Sequence, residues 1–163
     1  MKYYEIKYPN IFNHLSIELS NDRTKGMDKN YKHKNYYWGK DCKKQNIKGV
    51  LAEMIAQYYF QTKNIKFKAL SYLGQEPEVE ADILINDVKL DVKYIPHYGK
   101  YLMVNFLSHT NTAKKIDKYM FVQPFQNTKN GYNNAKIWFF DHQEINTWQI
   151  EKSTLTKVFK FTL

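Results

Sequence analysis

Apolar and polar positions alternate most cleanly over Glu80 to Tyr94, which reads E-A-D-I-L-I-N-D-V-K-L-D-V-K-Y. Two runs rich in Val, Ile and Leu flank Asn86-Asp87, residue types that tolerate the positive φ of a two-residue hairpin turn. With that turn, residue 85 pairs with 88, 84 with 89, 83 with 90 and 82 with 91. Ile83, Ile85, Val88, Leu90 and Val92 then share one apolar face, fit for a core. Glu80, Asp82, Leu84, Lys89, Asp91 and Lys93 share the other.

The rest of the chain supplies partners for this hairpin. Ile47, Val50, Leu51, Met54, Ile55, Tyr58 and Tyr59 recur at i, i+3, i+4 spacing, which predicts a helix from Gln45 to about Thr62, ended by Asn64. Glu53 stands beside that stripe. Ile11, Leu15 and Leu19 predict a short helix over 11–19. Residues 20–44, rich in Asn, Asp, Lys and Gly, read as irregular. Alternation predicts strands over 65–73, 101–106, 118–125 and 135–140, and an edge strand in the tail, 153–163. A helix is expected over 111–117, capped by Thr110 or Asn111, and a turn over 127–131. Strands outnumber helices around a central hairpin. The expected class is therefore α/β in an α+β layer arrangement, a mixed central sheet flanked by helices.

Length fits one domain over 1–163, with a basic N-terminal extension (1–44), a core (45–125) and C-terminal strands (126–163). A hydrophobic content of 43% with 17% aromatic residues argues against disorder. No apolar run is long enough to cross a membrane, and the N-terminus lacks the apolar stretch of a signal peptide. Cys42 is the only cysteine, which excludes an internal disulfide and a cysteine-based zinc site. These features point to the cytoplasm, the host cell interior if the protein is phage-encoded. The five histidines (14, 33, 97, 109, 142) show no paired spacing, so a histidine metal site is not expected.

Charge changes the picture further. The net charge is +9, and residues 22–48 hold nine basic groups against three acidic ones, +6 of that total. A stripe of this kind suits a polyanion, nucleic acid first, or is a solvated surface. Arg23, Lys25, Lys32, Lys34, Lys43 and Lys44 are the candidate phosphate contacts. Tyr37 and Trp38, interleaved with them, suit base or sugar stacking, or cover the edge of the core.

The polar face of the hairpin carries the chemistry. Carboxylates facing each other on neighbouring strands repel, and a sequence keeps them when a cation sits between. Mg²⁺ is the natural candidate, because it takes oxygen ligands from one or two carboxylates, a carbonyl and waters. Lys93, one pleat beyond Asp91, points at whatever the metal holds.

A helix bearing Glu53, then Asp82 on one strand, then Asp91-Val92-Lys93 on the next resembles the PD-(D/E)xK nuclease superfamily, the restriction-endonuclease-like fold. The approach Lys48-Gly49-Val50-Leu51-Ala52-Glu53 is similar to the glycine-then-glutamate helix of its small phage and prophage members. The resemblance covers about residues 45–125 and rests on four positions. Ala81 stands where the family motif has proline. Acid-x-Lys also occurs at Glu5-Ile6-Lys7, Asp41-Cys42-Lys43 and Asp87-Val88-Lys89, but only the triplet at Asp91 has an acid-bearing partner strand.

The resemblance implies a Mg²⁺-dependent DNA endonuclease, with Mn²⁺ as a substitute, of phage, mobile-element or restriction type. It implies that Asp82, Asp91 and the main-chain carbonyl of Val92 bind the metal, and that Glu53 joins them directly or through water, or supports a second ion. Lys93 then orients or activates the attacking water and stabilises developing charge on the phosphate, giving a 5′-phosphate and a 3′-hydroxyl. The substrate is duplex or branched DNA, and a double-strand cutter favours a homodimer. The alternatives are a non-catalytic nucleic-acid-binding protein on a degenerate nuclease fold, and a structural protein whose hairpin is scaffold alone.

Overall fold

The computed structural model describes residues 2–31, 42–70, 81–111, 115–125, 132–152 and 157–163, and the side chains of all of these except 23–31 and 42–43. The hairpin forms as the alternation requires. Strands β3 (Ile83–Ile85) and β4 (Val88–Tyr94) pair antiparallel, with Ile83 opposite Leu90, Leu84 opposite Lys89 and Ile85 opposite Val88. Asn86 and Asp87 lie at φ 45° and 68°. Two successive left-handed residues make a type I′ turn, whose twist matches that of the strands it joins.

On its other side β4 pairs in parallel with β6 (Lys118–Phe125), and β6 pairs antiparallel with β7 (Tyr132–Asp141). Strand β1 (Tyr4–Pro9) closes one edge against β7, and the two-residue β2 (Lys68–Ala69) closes the other against β3. The order β1-β7-β6-β4-β3-β2 makes a mixed six-stranded sheet. A second sheet of three strands runs β5 (Tyr101–Asn105), β9 (Lys157–Thr162), β8 (Gln149–Lys152).

Strand β6 shows why layers form on both faces of the large sheet. Met120 and Val122 join Ile83, Leu90, Val92 and Ile137 in one core. Tyr119 and Phe121 point the opposite way and join Leu102, Val104, Trp138 and Phe159 in another. A strand covered on both sides reads as an unbroken apolar run, which β6 does.

Helix α1 (Ile11–Tyr31) packs beside α2 (Cys42–Thr62), with Phe12 and Tyr58 edge-to-face at 5.5 Å. Helix α2 buries Leu51, Ala52, Ile55, Ala56, Tyr59 and Phe60 in the first core. The larger of these, Leu51, Ile55 and Phe60, each contribute about 1.5–3 kcal/mol of burial. The helix ends as expected. Asn64 is left-handed at φ 54°, its N–H donates to the Gln61 carbonyl, and the Ile65 N–H donates to the Phe60 carbonyl. That pairing is a Schellman cap with asparagine in the position usually held by glycine.

Several expectations need correction. Helix α1 continues to Tyr31, well past the expected end at Leu19, and α2 begins at Cys42, so part of 20–44 is helical. Asn, Asp and Gly bias against helix by less than about 1 kcal/mol each, too little to stop it. Residues 4–9 form a strand, missed in a mixed stretch, that buries Ile6 and Tyr8. Of the strand expected over 65–73, the described residues 65–70 hold only β2, and residues 71–80 lie outside the described residues. No helix spans 111–117 among the described residues. Helix α3 (Phe106–Thr110) forms earlier instead, because Asn105 caps it by accepting from the Ser108 N–H. The tail strand β9 is central in its sheet rather than an edge, since β5 and β8 flank it. A short helix α4 (His142–Ile145), capped through Asp141 and Glu144, went unforeseen. The turn expected over 127–131 lies outside the described residues.

Candidate active site

Strand β4 builds the site from its polar face. Asp91 and Lys93 flank the buried Val92, and their side chains meet, with Lys93 Nζ 2.5 Å from Asp91 Oδ2. In the parallel ladder Asp91 lies beside Tyr119 and Lys93 beside Phe121. The pair therefore sits on the sheet face that the small sheet partly covers. Both side chains keep some solvent contact, 19% for Asp91 and 32% for Lys93.

Asp82 arrives from the start of β3, one residue before the regular ladder. Its expected pairing with Asp91 is altered here. The Asp82 N–H donates to the Leu90 carbonyl, and its Oδ2 accepts from the Val92 N–H at 2.6 Å. The side chain thus takes over a bond that the backbone ladder would make, which fixes the carboxylate against β4. Ala81, where the family motif has proline, is buried in the second core.

Glu53 comes from α2 and is 8% exposed, against the expectation for a lone glutamate on a helix. Its charge reaches both Asp82 and Lys93. Burial raises the Asp82 carboxyl well above its ordinary value, and the nearby Glu53 and Asp91 carboxylates push it further the same way. Burial alone would lower the Lys93 ammonium. The Asp91 and Asp82 carboxylates outweigh that and hold it above its ordinary value. Four side chains from three elements therefore share one electrostatic neighbourhood.

The donor chemistry suits a hard divalent cation. All the candidate ligands are oxygens, and their mutual repulsion is what a cation would relieve. They do not form a closed cage. Among the described residues, no group of three or more His, Cys, Asp or Glu converges closely enough to hold a metal by itself. Mg²⁺ asks for fewer protein ligands than such a cage, since it binds through one or two carboxylates and completes its shell with water and phosphate.

The remaining candidates divide. Lys44 is exposed in the first turn of α2. Arg23, Lys25 and Lys43 lie on helical backbone, but their side chains are outside the described set. Lys32, Lys34, Tyr37, Trp38 and Glu80 lie outside the described residues. No helix among the described residues is long and apolar enough to cross a membrane.

Two features escaped the sequence. His109 and His142, distant in sequence, stack with ring centroids 3.9 Å apart. His109 shares one 3.0 Å hydrogen bond with the Tyr119 hydroxyl and another with Asn146 Oδ1. With Asn146 Oδ1 as acceptor, His109 Nε2 carries the proton and Nδ1 accepts from Tyr119. Tyr119 is also close enough to Asp91 for that carboxylate, after burial itself, to raise its phenol. The parallel register that places Tyr119 beside Asp91 leaves no mark in local alternation, so no signal in the sequence pointed to it. No protein-family model matches the chain, and neither a curated protein nor a solved structure matches it.

Proposed function

We propose that the chain is a Mg²⁺-dependent endonuclease that hydrolyses phosphodiester bonds in DNA, on a restriction-endonuclease-like core of the phage, mobile-element or restriction type. The observation that supports this reading is that Asp82, Asp91, Glu53 and Lys93, from β3, β4 and α2, lie within one another's electrostatic reach, with Lys93 and Asp91 in direct contact. Buried like charges are costly, and a cation among them would offset that cost.

Asp82, Asp91 and the Val92 carbonyl would hold the ion, with Glu53 completing the set. When bound, the ion supplies Lewis acidity toward the scissile phosphate and makes a nearby water more acidic. The chain's own residues do the rest. Asp82 is locked by the Val92 N–H, so its second oxygen has a fixed direction. Lys93, kept as an ammonium by its carboxylate neighbours, donates hydrogen bonds and positive charge to the oxygens that gain charge in the transition state. Its place beside Asp91 lets Lys93 orient the attacking water. Lys48 on α2 lies over the ring of Tyr94, the residue after Lys93, and a cation there favours the phosphate backbone.

A non-catalytic nucleic-acid-binding protein is the second reading. The Lys93–Asp91 contact favours it, since it neutralises one carboxylate without a metal. One assay separates the two. Supercoiled plasmid, linear duplex, single strands and branched junctions are incubated with wild type and Asp91→Ala, with Mg²⁺, Mn²⁺ or EDTA. Cleavage that needs metal and vanishes in Asp91→Ala supports the enzyme. Equal background from both proteins on every substrate, with salt-sensitive binding retained, supports the second reading.

A further inference from the structure

Beyond β4 the chain makes a tight turn over Pro96–Gly99 that carries an unusually presented ring. Tyr98 is 88% exposed. A single exposed aromatic is ordinary on a protein surface. What sets this one apart is how firmly its turn is held. The side-chain amide of Gln123, itself buried, turns the two N–H groups of Nε2 to the carbonyls of Pro96 (3.0 Å) and Gly99 (3.0 Å), with the His97 carbonyl at 3.3 Å sharing one of them. The Gly99 N–H closes the turn onto the Pro96 carbonyl at 2.7 Å. A Cβ at Gly99 would come within 2.6 Å of Ile95 Cγ2 and 2.9 Å of the Pro96 carbonyl oxygen, so the turn is packed to the limit that glycine allows.

The neighbouring rings brace Tyr98. His97 stands at 4.4 Å from it, and His97 in turn stacks over Phe125 at 6.3 Å. Lys136 Nζ lies 5.8 Å above the Phe125 ring, bringing a positive charge to the same patch. A turn held this way presents Tyr98 from a fixed backbone, so less freedom is lost when something stacks on the ring, which favours binding by an exposed aromatic.

The patch lies on the same sheet face as the charged cluster. In the parallel register, Lys93 sits beside Phe121, and Gln123 and Phe125 follow Phe121 at two-residue steps on that face. At about 3.3 Å of rise per residue, Gln123 is ~7 Å and Phe125 ~13 Å further along the strand. Resting on the nuclease reading for its neighbour, we infer that the Pro96–Gly99 turn is a stacking platform on which Tyr98 receives an unpaired nucleobase next to the cleaved phosphate. An aromatic ring accepts any base, whereas the bases of an intact duplex are already stacked and offer no free face. The site therefore favours single strands, flaps, gaps or junctions over blunt duplex.

The test measures binding in EDTA, where cleavage plays no part. Fluorescence anisotropy is recorded for a labelled single strand, a gapped duplex and a blunt duplex, with wild type, Tyr98→Ala, Tyr98→Phe and Tyr98→Leu. The expected result is a loss of about tenfold in Tyr98→Ala on the single strand and the gap, little change on blunt duplex, recovery in Tyr98→Phe and none in Tyr98→Leu. Because the ring is exposed, thermal melts of the four proteins should coincide. Equal losses on all three substrates, no loss on any, no binding at all, or equal recovery by leucine would overturn the platform. Failure of the nuclease reading shows separately, as absent cleavage in Mg²⁺ with this binding pattern intact.

Discussion

Lys93 Nζ lies 2.5 Å from Asp91 Oδ2, the two side chains rising from one face of β4 with Val92 buried between them. The contact puts an ammonium beside a carboxylate that the proposed metal also needs. Removing the ammonium should leave metal binding largely intact and remove charge stabilisation in the transition state. Single-turnover cleavage by Lys93→Ala should fall by roughly 10²–10³-fold, the scale of losing one preorganised donor. Lys93→Arg should recover only part of it, because the planar guanidinium does not occupy the ammonium's position. Unchanged rates in Lys93→Ala would remove lysine from the mechanism.

Asp82 should trade stability for activity. Folding raises its carboxyl above the ordinary 3.8, so the native chain holds that proton more tightly than the unfolded chain. The ionised carboxylate therefore destabilises the fold increasingly as pH rises from about 3.8 to the raised value, and fully above it. Asp82→Asn keeps an oxygen to accept from the Val92 N–H and removes the charge. It should melt higher at pH 7.5 by about 1 kcal/mol, roughly 2–4 °C for a chain of this size, and the gain should vanish below about pH 4. Cleavage should be lost. A variant that melts lower at pH 7.5 would contradict the assigned repulsion.

The hairpin, its register and the strands around 118–125 and 135–140 were legible because local alternation fixes them. Ile83, Leu90 and Val92 have nowhere to go but the core, and a slip by one residue would expose them all. That register put Asp91 and Lys93 on one face of β4 and brought Asp82 beside the strand, although Asp82 meets it through the Val92 N–H and not through the expected pairing with Asp91. What the sequence hid was non-local. Strand β1 reaches the sheet through β7, more than a hundred residues away, and its two buried residues, Ile6 and Tyr8, are too few to announce a strand. The second sheet depends on β9 returning between β5 and β8. The stripe on α2 is centred nearer Ala52, Ala56 and Phe60 than the larger side chains suggested, and this brings Glu53 inward.

The turn at Asn86-Asp87 should be improvable. Both residues hold positive φ, which glycine tolerates without strain. Asp87→Gly should leave stability unchanged or raise it by up to about 1 kcal/mol, with activity retained. Asn86→Val, a β-branched residue forced left-handed, should cost about 1–3 kcal/mol. Chemical denaturation of the two variants checks both. A loss in Asp87→Gly as large as that in Asn86→Val would mean that Asp87 holds the turn through its side chain.

His109 predicts how the fold responds to acid. Burial lowers its pKa below the ordinary 6.5, and His142 adds to the effect against the opposing Asn146 hydrogen bond. The unfolded chain then binds the proton more readily than the native one. Stability should be full above about pH 6.5 and fall as pH drops from there toward the lowered value. His109→Gln should melt lower at pH 7.5, by about 1–3 kcal/mol for buried hydrogen bonds imperfectly replaced, yet lose less between pH 7.5 and 5. A parallel fall in both proteins would assign the acid sensitivity elsewhere.

Direct titration with Mn²⁺, read by its paramagnetic signal at pH 7.5, tests whether the carboxylates of β3 and β4 exist to hold a cation. Saturable uptake by wild type that weakens at least tenfold in both Asp82→Asn and Asp91→Asn, with Lys93→Ala binding as well or better, is the predicted result. Uptake that is absent, or that is the same in all four proteins, would contradict it.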